Sequence, residues 1–214
     1  MLAVVSAVQA EIDRLIQRLD AKMGPESKTW QVPGESLVLA ALGVGYLEAA
    51  LRLSELLQKT PKIERLMFTG SAGVYPGVDH LRPGDLCSCR ETILIDGMAE
   101  LGISHYAPPL PRQAIASTLP VDDQLPNAAI ATALSLTASD ASAAAIQKSS
   151  GMEIETMELY GVAYLCLQRS IPWNAVMAIT NRVGDAGHQE WKQHYSQLAE
   201  KSCDRLLVYL PSLL

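Results

Sequence analysis

Short apolar runs alternate with longer amphipathic stretches along most of this chain, and this alternation restricts its fold more than any other feature. The first run, residues 2–8, has the length and composition of a strand covered on both faces. Strands alternating with helices predict an α/β domain in which helices cover both faces of a central sheet, giving three layers. The predicted strands span residues 2–8, 36–42, 63–69, 86–95, 128–136, 152–156 and 173–179. The predicted helices span residues 12–19, 46–59, 137–148, 159–167 and 190–210.

Length and charge limit the classes of function. A chain of 214 residues with 49% hydrophobic and 19% charged residues fits one folded domain, here residues 1–214, better than a disordered segment. A net charge of -6 argues against partners such as nucleic acid or an anionic membrane surface. The start of the chain lacks a signal peptide pattern, and no uncharged apolar run is long enough for a bilayer span. We therefore expect a soluble, cytoplasmic protein.

Motifs for metals and dinucleotide cofactors are incomplete. The four cysteines lack metal or redox spacing, and no histidine pair has the spacing of metal ligands. Gly43-Val44-Gly45 follows a predicted strand, but the third glycine and the later acid of a dinucleotide fingerprint are missing. His105 and His188 receive no role. We expect neither a metal nor a cofactor.

Four polar side chains fall at or just beyond predicted strand ends: Glu11, Ser71, Glu158 and Asn181. The carboxyl ends of parallel strands meet at one edge of an open sheet, where ligands bind. Alternatives remain for each residue type. Glu11 and Glu158 could merely favour helix initiation, as could Glu155, and Asn181 could bond its own turn.

These segments together resemble the nucleoside phosphorylase and nucleosidase superfamily, and its hydrolytic branch in particular. The resemblance extends over nearly the whole chain and is carried by segments 6–11, 43–45, 69–73, 84–85, 155–158 and 179–181. It implies a twisted mixed sheet flanked by helices, and homodimers or larger homo-oligomers. Within the superfamily the run Asn181-Arg182-Val183-Gly184-Asp185, with Trp191 after it, is most similar to the futalosine hydrolases of menaquinone biosynthesis. The methylthioadenosine/adenosylhomocysteine nucleosidases are the alternative.

The resemblance implies a role for each candidate residue. Glu11 matches the glutamate that activates water, and Glu158 matches the carboxylate that binds the ribose 2′-hydroxyl. Ser71 matches a small polar residue beside the nucleophile, and Met157 packs against the sugar. Val44, Leu136 and Thr137 fall on segments that line the substrate, although a leucine replaces the family's stacking aromatic at 136.

Asn181 bears on the base that leaves. Its amide can bond N7 and a 6-position oxygen but cannot supply a proton as a carboxylic acid does. A 6-oxopurine leaves more readily as an anion than adenine, so Asn181 favours an inosine-type substrate. Asp185 is an alternative acid that no spacing argument places at the base.

Two other functions compete with hydrolysis. The phosphorylases of the superfamily carry an arginine where this chain has Phe68, so a fixed cation for phosphate is missing. A nucleoside-binding protein without turnover remains the alternative from another class, although Glu11 and Glu158 are both present. The expected partners are therefore a small purine nucleoside and water.

Overall fold

The predicted strands pair into one mixed sheet in the computed structural model, which describes residues 1–104, 113–121 and 123–214. Among these residues the strands are β1 (Leu2–Ser6), β2 (Lys22–Met23), β3 (Thr29–Gln31), β4 (Leu37–Ala41), β5 (Arg65–Val74), β6 (Leu86–Ile95), β7 (Ile115–Ala116), β8 (Asn127–Ala133), β9 (Ile154–Thr156) and β10 (Trp173–Arg182). The helices are α1 (Asp13–Arg18), α2 (Tyr46–Lys59), α3 (Gly97–Glu100), α4 (Asp140–Ser150), α5 (Leu159–Arg169) and α6 (Gly187–Leu213).

Parallel pairing at the centre of the sheet sets the positions of the candidate residues. β4, β1, β5 and β10 pair in that order, each parallel to its neighbour. Their chains therefore leave the sheet in one direction, which brings the residues that follow β1 and β4 to the same edge. β2 and β3 extend the outer side of the sheet as an antiparallel hairpin.

Alternation along β1 divides the core into two layers. Ala3 and Val5 pack with α2 and α5, whereas Leu2 and Val4 pack with α1 and α6. Successive strand residues point to opposite faces, so a continuous apolar run is needed where both faces are covered. The predicted α/β class with helices on both sides of a mixed sheet is confirmed.

The sheet twists so far that one side closes on itself. From β5 the pairing runs through β9, β8 and β6 to β10, and β10 also pairs with β5. The contact between β10 and β6 is antiparallel, at residues 176–178, whereas β10 and β5 are parallel. The sequence pattern did not predict this ring of strands.

Two strands extend further than predicted, because they pair with each other beyond the expected ends. The parallel ladder of β5 and β10 continues past a bulge after Ile179 and pairs Asn181 with Gly73. Ser71 therefore lies inside β5, and its prediction as a strand-end residue was wrong, whereas Asn181 is the last residue but one of β10. The predicted strand 128–136 instead ends at Ala133, and Leu136 beyond it is 56% exposed.

Gly161 fixes the distance between α5 and α2. A Cβ atom at this position would overlap the backbone oxygen of Tyr46 and lie 3.2 Å from the Cβ of Ala50. Because the obstacle is helix backbone, the two helices would have to separate to admit a side chain.

Replacement of this glycine tests the helix contact. We expect Gly161→Ala to lower the free energy of unfolding by about 2 kcal/mol, since overpacking outweighs the better helix propensity of alanine. Gly97→Ala in α3 is the matched control, because the nearest atom to its added Cβ is Ile146 Cδ1 at 3.9 Å. Equal unfolding free energies for the two variants in denaturant titrations would contradict the tight contact.

Candidate active site

Glu11 lies in a single 3₁₀ turn, Gln9–Glu11, directly after β1. Its side chain is almost entirely buried, and Oε1 accepts hydrogen bonds from the Ser71 amide and the Ser71 hydroxyl, each at 3.0 Å. Oε2 accepts a longer bond of 3.3 Å from the Val8 amide. Burial raises the pKa of Glu11, and the hydrogen bonds from Ser71 act in the opposite direction. The site thus contains a carboxylate that is more basic than usual.

Glu158 is the residue before α5, but its side chain does not cap that helix. Oε1 accepts a 2.9 Å bond from the Gly45 amide in the loop before α2, and Oε2 accepts a 3.2 Å bond from the Met157 amide. The pKa of Glu158 is raised to about 7, chiefly by burial; the nearby charge of Glu11 also raises it, and the bonds from Gly45 and Met157 act in the opposite direction. The carboxylates of Glu11 and Glu158 therefore share one poorly solvated region.

Ser71 connects Glu11 to an aromatic stack on α6. The indole Nε1 of Trp191 donates to the Ser71 hydroxyl at 3.2 Å. Because an indole N–H can only donate, the hydroxyl hydrogen of Ser71 is left to point at Glu11. Trp191 stacks on Tyr195 at 4.7 Å and on His188 at 5.8 Å between ring centroids. In the sequence, Trp191 contributed only to the family resemblance. The spacings of three residues to His188 and four to Tyr195 are nevertheless those of side chains on one face of a helix.

Asn181 makes local bonds with both ends of its amide. Its Oδ1 accepts from the Thr180 hydroxyl at 2.8 Å, and its Nδ2 donates to the Arg182 carbonyl at 2.9 Å. An amide has a second N–H and a further lone pair, so these bonds leave capacity for a ligand. A role of Asn181 in reading the base therefore stays a prediction.

Asp185 holds the start of α4. Its amide donates to Asp140 Oδ1 at 3.0 Å, and its Oδ1 accepts from the Asp140 amide at 3.3 Å. This reciprocal pair joins the loop after β10 to the first residue of α4, which gives Asp185 a structural role. Its location does not favour it as the acid that assists the base.

The residues predicted to line the substrate are only partly linked by contacts. Val44 is 56% exposed beside Gly45, and Met157 is half-buried beside Glu158. Leu136 is exposed in the loop after β8, and Thr137 bonds to the buried carboxylate of Glu155. His188 stacks on Trp191, and His105 lies outside the described residues. The contacts thus join Glu11 to Ser71 and the loop of Val44 to Glu158, and among the described residues neither carboxylate is hydrogen-bonded to Asn181.

The described ranges show neither a cluster of metal-ligating side chains nor a membrane-spanning helix. Within them, no group of three or more His, Cys, Asp or Glu side chains is arranged to hold a metal ion. The same ranges contain no helix with the length and apolar character that crossing a bilayer requires.

Comparison with known proteins identifies the family. Residues 2–210 match the family model described as the phosphorylase superfamily. This chain belongs to the phosphorylase superfamily. The predicted superfamily resemblance is therefore confirmed. A comparison with curated protein sequences found no match.

Solved structures of both predicted kinds of nucleosidase are similar to this phosphorylase-superfamily chain. A methylthioadenosine/adenosylhomocysteine nucleosidase from Colwellia psychrerythraea, in complex with adenine, has a TM-score of 0.78 at 20% identity, covering 96% of this chain and 92% of that one. A futalosine hydrolase mutant from Helicobacter pylori has a TM-score of 0.80 at 16% identity, covering 96% of both chains. A methylthioadenosine/adenosylhomocysteine nucleosidase from Helicobacter pylori has a TM-score of 0.81 at 14% identity, covering 97% and 96%. At these identities the likeness shows the fold.

The pH dependence of stability tests the environment of Glu158. With a pKa of about 7 in the folded protein and 4.5 as its ordinary value, folded Glu158 keeps a proton that the unfolded chain has released between those pH values. Stability should therefore fall as pH rises through this window, by up to about 3 kcal/mol. Glu158→Gln should lose less stability than the wild type between about pH 5 and about pH 8 in denaturant titrations.

The matched control for this comparison is Glu64→Gln. Glu64 is a surface residue paired with the N-terminal amine, and its side chain is 76% exposed. The pKa of Glu11 is also raised, so part of the pH dependence of stability should remain in Glu158→Gln. Identical pH dependence of stability in Glu158→Gln and the wild type would refute the raised pKa.

Proposed function

We propose that this chain is a hydrolytic nucleosidase, which uses water to cleave the N-ribosidic bond of a purine nucleoside derivative. The observation that carries this proposal is the pair of buried carboxylates, Glu11 and Glu158. In the described part of the chain their hydrogen-bond partners are amides and a hydroxyl, not cations. Two carboxylates near each other in a dry region destabilise the fold, and such a cost is typical of functional sites.

Glu11 is proposed as the general base. Cleavage passes through an oxocarbenium-like state in which the C1′–N9 bond breaks and its electron pair leaves with the base. A water oxygen forms the new bond to C1′, and Glu11 takes the proton that this water gives up. Its raised pKa favours that role, and Oε2, with one long bond to Val8, has room for a water.

Glu158 is proposed to bind the ribose 2′-hydroxyl. A carboxylate that accepts this hydrogen bond stabilises the positive charge that develops on the sugar. Gly45 and Met157 donate to separate oxygens of Glu158, so each oxygen keeps a lone pair for a ligand. The fixed position of the carboxylate reduces the reorganisation needed when the charge develops.

The site favours hydrolysis over phosphorolysis. Phe68 stands where the resemblance places the phosphate-binding arginine of phosphorylases, and its ring is 1% exposed. The ring packs beneath Gly70, where an added Cβ would lie 3.2 Å from Phe68 Cε1. A buried phenyl ring supplies no donor for phosphate.

Asn181 supports a 6-oxopurine as the leaving base. Its remaining N–H can donate to N7 or to the 6-oxygen of hypoxanthine, a base that needs less acid assistance than adenine. We therefore propose a futalosine-type nucleoside as the substrate. A methylthioadenosine/adenosylhomocysteine nucleosidase is the second candidate, supported by solved structures of that activity with the same fold.

Turnover without phosphate tests the proposed reaction. Purified protein should release free base and free sugar from a futalosine-type nucleoside or inosine whether or not phosphate is added. Glu11→Gln should still bind substrate but lose turnover by about 10²-fold or more, the usual scale for loss of a general base. Product analysis by chromatography and single-turnover rates measure both effects.

The charge-matched control for Glu11→Gln is Glu64→Gln, which should turn over as the wild type does. Strict phosphate dependence with formation of a ribose 1-phosphate derivative would reject hydrolysis. Binding of nucleosides without cleavage by the wild type would instead favour a binding protein.

The choice of base tests Asn181. In Asn181→Asp, a charged oxygen beside the Arg182 carbonyl would be repelled, so the pKa of the new carboxyl group should rise; its single proton can pass from that carbonyl to N7 when a base binds. A protonated carboxyl group can donate to N7 of a poorer leaving group. We expect kcat/KM for adenosine-type substrates to rise relative to inosine-type substrates, by up to about 10⁴-fold if the site discriminates fully.

Asp185→Asn is the control for this prediction, since Asp185 bonds to α4. The base preference of Asp185→Asn should match that of the wild type. A wild type that prefers 6-amino substrates would reject the futalosine-type substrate and leave the methylthioadenosine reaction in its place.

A further inference from the structure

Glu155 is a buried carboxylate that the proposed mechanism does not use. Its side chain lies in β9 and is 4% exposed. Oε1 accepts from the Thr137 amide at 3.0 Å, and Oε2 accepts from the Thr137 hydroxyl and the Tyr75 hydroxyl, each at 2.6 Å. A carboxylate in this position needs such donors, because burying an unpaired charge is expensive.

The strand register brings Glu155 to the level of Asn181. Glu155 lies opposite Gly73 in the pairing of β9 with β5, and Gly73 lies opposite Asn181 in the pairing of β5 with β10. Residues directly opposite each other on adjacent strands share a face of the sheet. A Cβ at Gly73 would come within 2.9 Å of Asn181 Nδ2 and 2.8 Å of Val183 Cγ2, so the Asn181 amide lies directly over Gly73.

The group that Glu155 holds is a loop with exposed apolar side chains. Leu134 and Leu136 follow β8 and are 53% and 56% exposed, and Thr137 comes next. One carboxylate binds both the backbone and the side chain of Thr137, which fixes the orientation of the loop as well as its position. The Tyr75 hydroxyl is a third donor to Glu155. Burial, and to a smaller extent the charge of Glu155, raises the pKa of this hydroxyl, so Tyr75 stays protonated.

We propose that Glu155 is a positioning residue for the purine base: it fixes the loop 134–137 so that a flat heterocycle fits between that loop and Asn181. This inference rests on the proposed nucleosidase function and deepens it. Glu155 acts through Thr137 and does not itself touch the substrate. The ligand class is a planar, apolar-faced heterocycle with polar edges.

This role predicts a particular kinetic signature. The base contacts the loop both before and during bond cleavage, so a misplaced loop weakens ground state and transition state alike. Such a loss raises KM and leaves kcat little changed. Substitution of a residue at the reacting bond, such as Glu11, should instead lower kcat and leave KM little changed.

Glu155→Gln is the central test, because its amide group would place an N–H against the donors of Thr137 or Tyr75. We expect the Kd for hypoxanthine and for adenine, measured by calorimetry, to rise about 10-fold or more, the scale for loss of hydrogen bonds to a charged group. KM should rise in parallel and kcat should stay within about threefold. Glu153→Gln is the matched control at the residue before β9, since the Glu153 carboxylate accepts from the Ala129 amide and its loss should leave base binding unchanged.

Conservative variants keep the inference testable if Glu155→Gln folds poorly, which thermal unfolding would reveal. Thr137→Ser keeps the hydroxyl and should bind the bases more tightly than Thr137→Val. Tyr75→Phe removes one donor and should weaken base binding less than Glu155→Gln does.

The outcomes separate the two proposals. An active wild type, with a folded Glu155→Gln variant whose Kd and KM match the wild type, overturns the positioning role alone. A Glu155→Gln variant that changes kcat without changing base affinity also overturns it, as does equal base affinity in Thr137→Ser and Thr137→Val. A wild type that neither binds a purine base nor cleaves a nucleoside rejects the proposed function, and this inference with it.

Discussion

Two carboxylates in one poorly solvated region set the requirements for the surrounding structure. Glu11 and Glu158 are buried, and each depends on amide donors from a segment distant in sequence: Ser71 for Glu11 and Gly45 for Glu158. A buried charge without such donors would cost several kcal/mol. The segment after β1 must therefore lie within hydrogen-bond distance of β5, and the segment after β4 must reach the start of α5. The parallel pairing of these strands meets that requirement, and Gly45, with φ of +90°, lets its amide turn towards Glu158.

Local sequence patterns predicted the elements whose formation depends on local periodicity. The bounds of α2 and β6 were predicted to the residue, because their apolar patterns are bordered by glycine, proline or lysine signals. Glu11, Ser71 and Glu158 were predicted to share a site, and the structure brings Glu11 into contact with Ser71 and within the electrostatic influence of Glu158. These results follow from the order of strands and turns along the chain.

The remaining features depend on contacts between distant segments. The small residues after Thr69 resemble a strand end, yet β10 supplies hydrogen-bond partners for them and β5 continues to Val74. Trp191 reaches Ser71 across 120 positions, and Glu155 reaches Tyr75 across 80. Neither contact can be predicted from a short stretch of sequence, because its two side chains lie far apart along the chain. A pattern that looked like two acids before a helix was therefore one strand residue, Glu155, and one residue directly before α5, Glu158.

The closed ring of strands also has a consequence for synthesis on the ribosome. β10 is the last strand in chain order, and it pairs with both β5 and β6. Until Trp173–Arg182 has emerged, the edges of both earlier strands lack their final partner. Open edges of apolar strands invite pairing with other chains. A nascent chain of this architecture thus depends on prompt translation of its final fifth, and stalled fragments that end before β10 would be clients for chaperones that shield exposed strands.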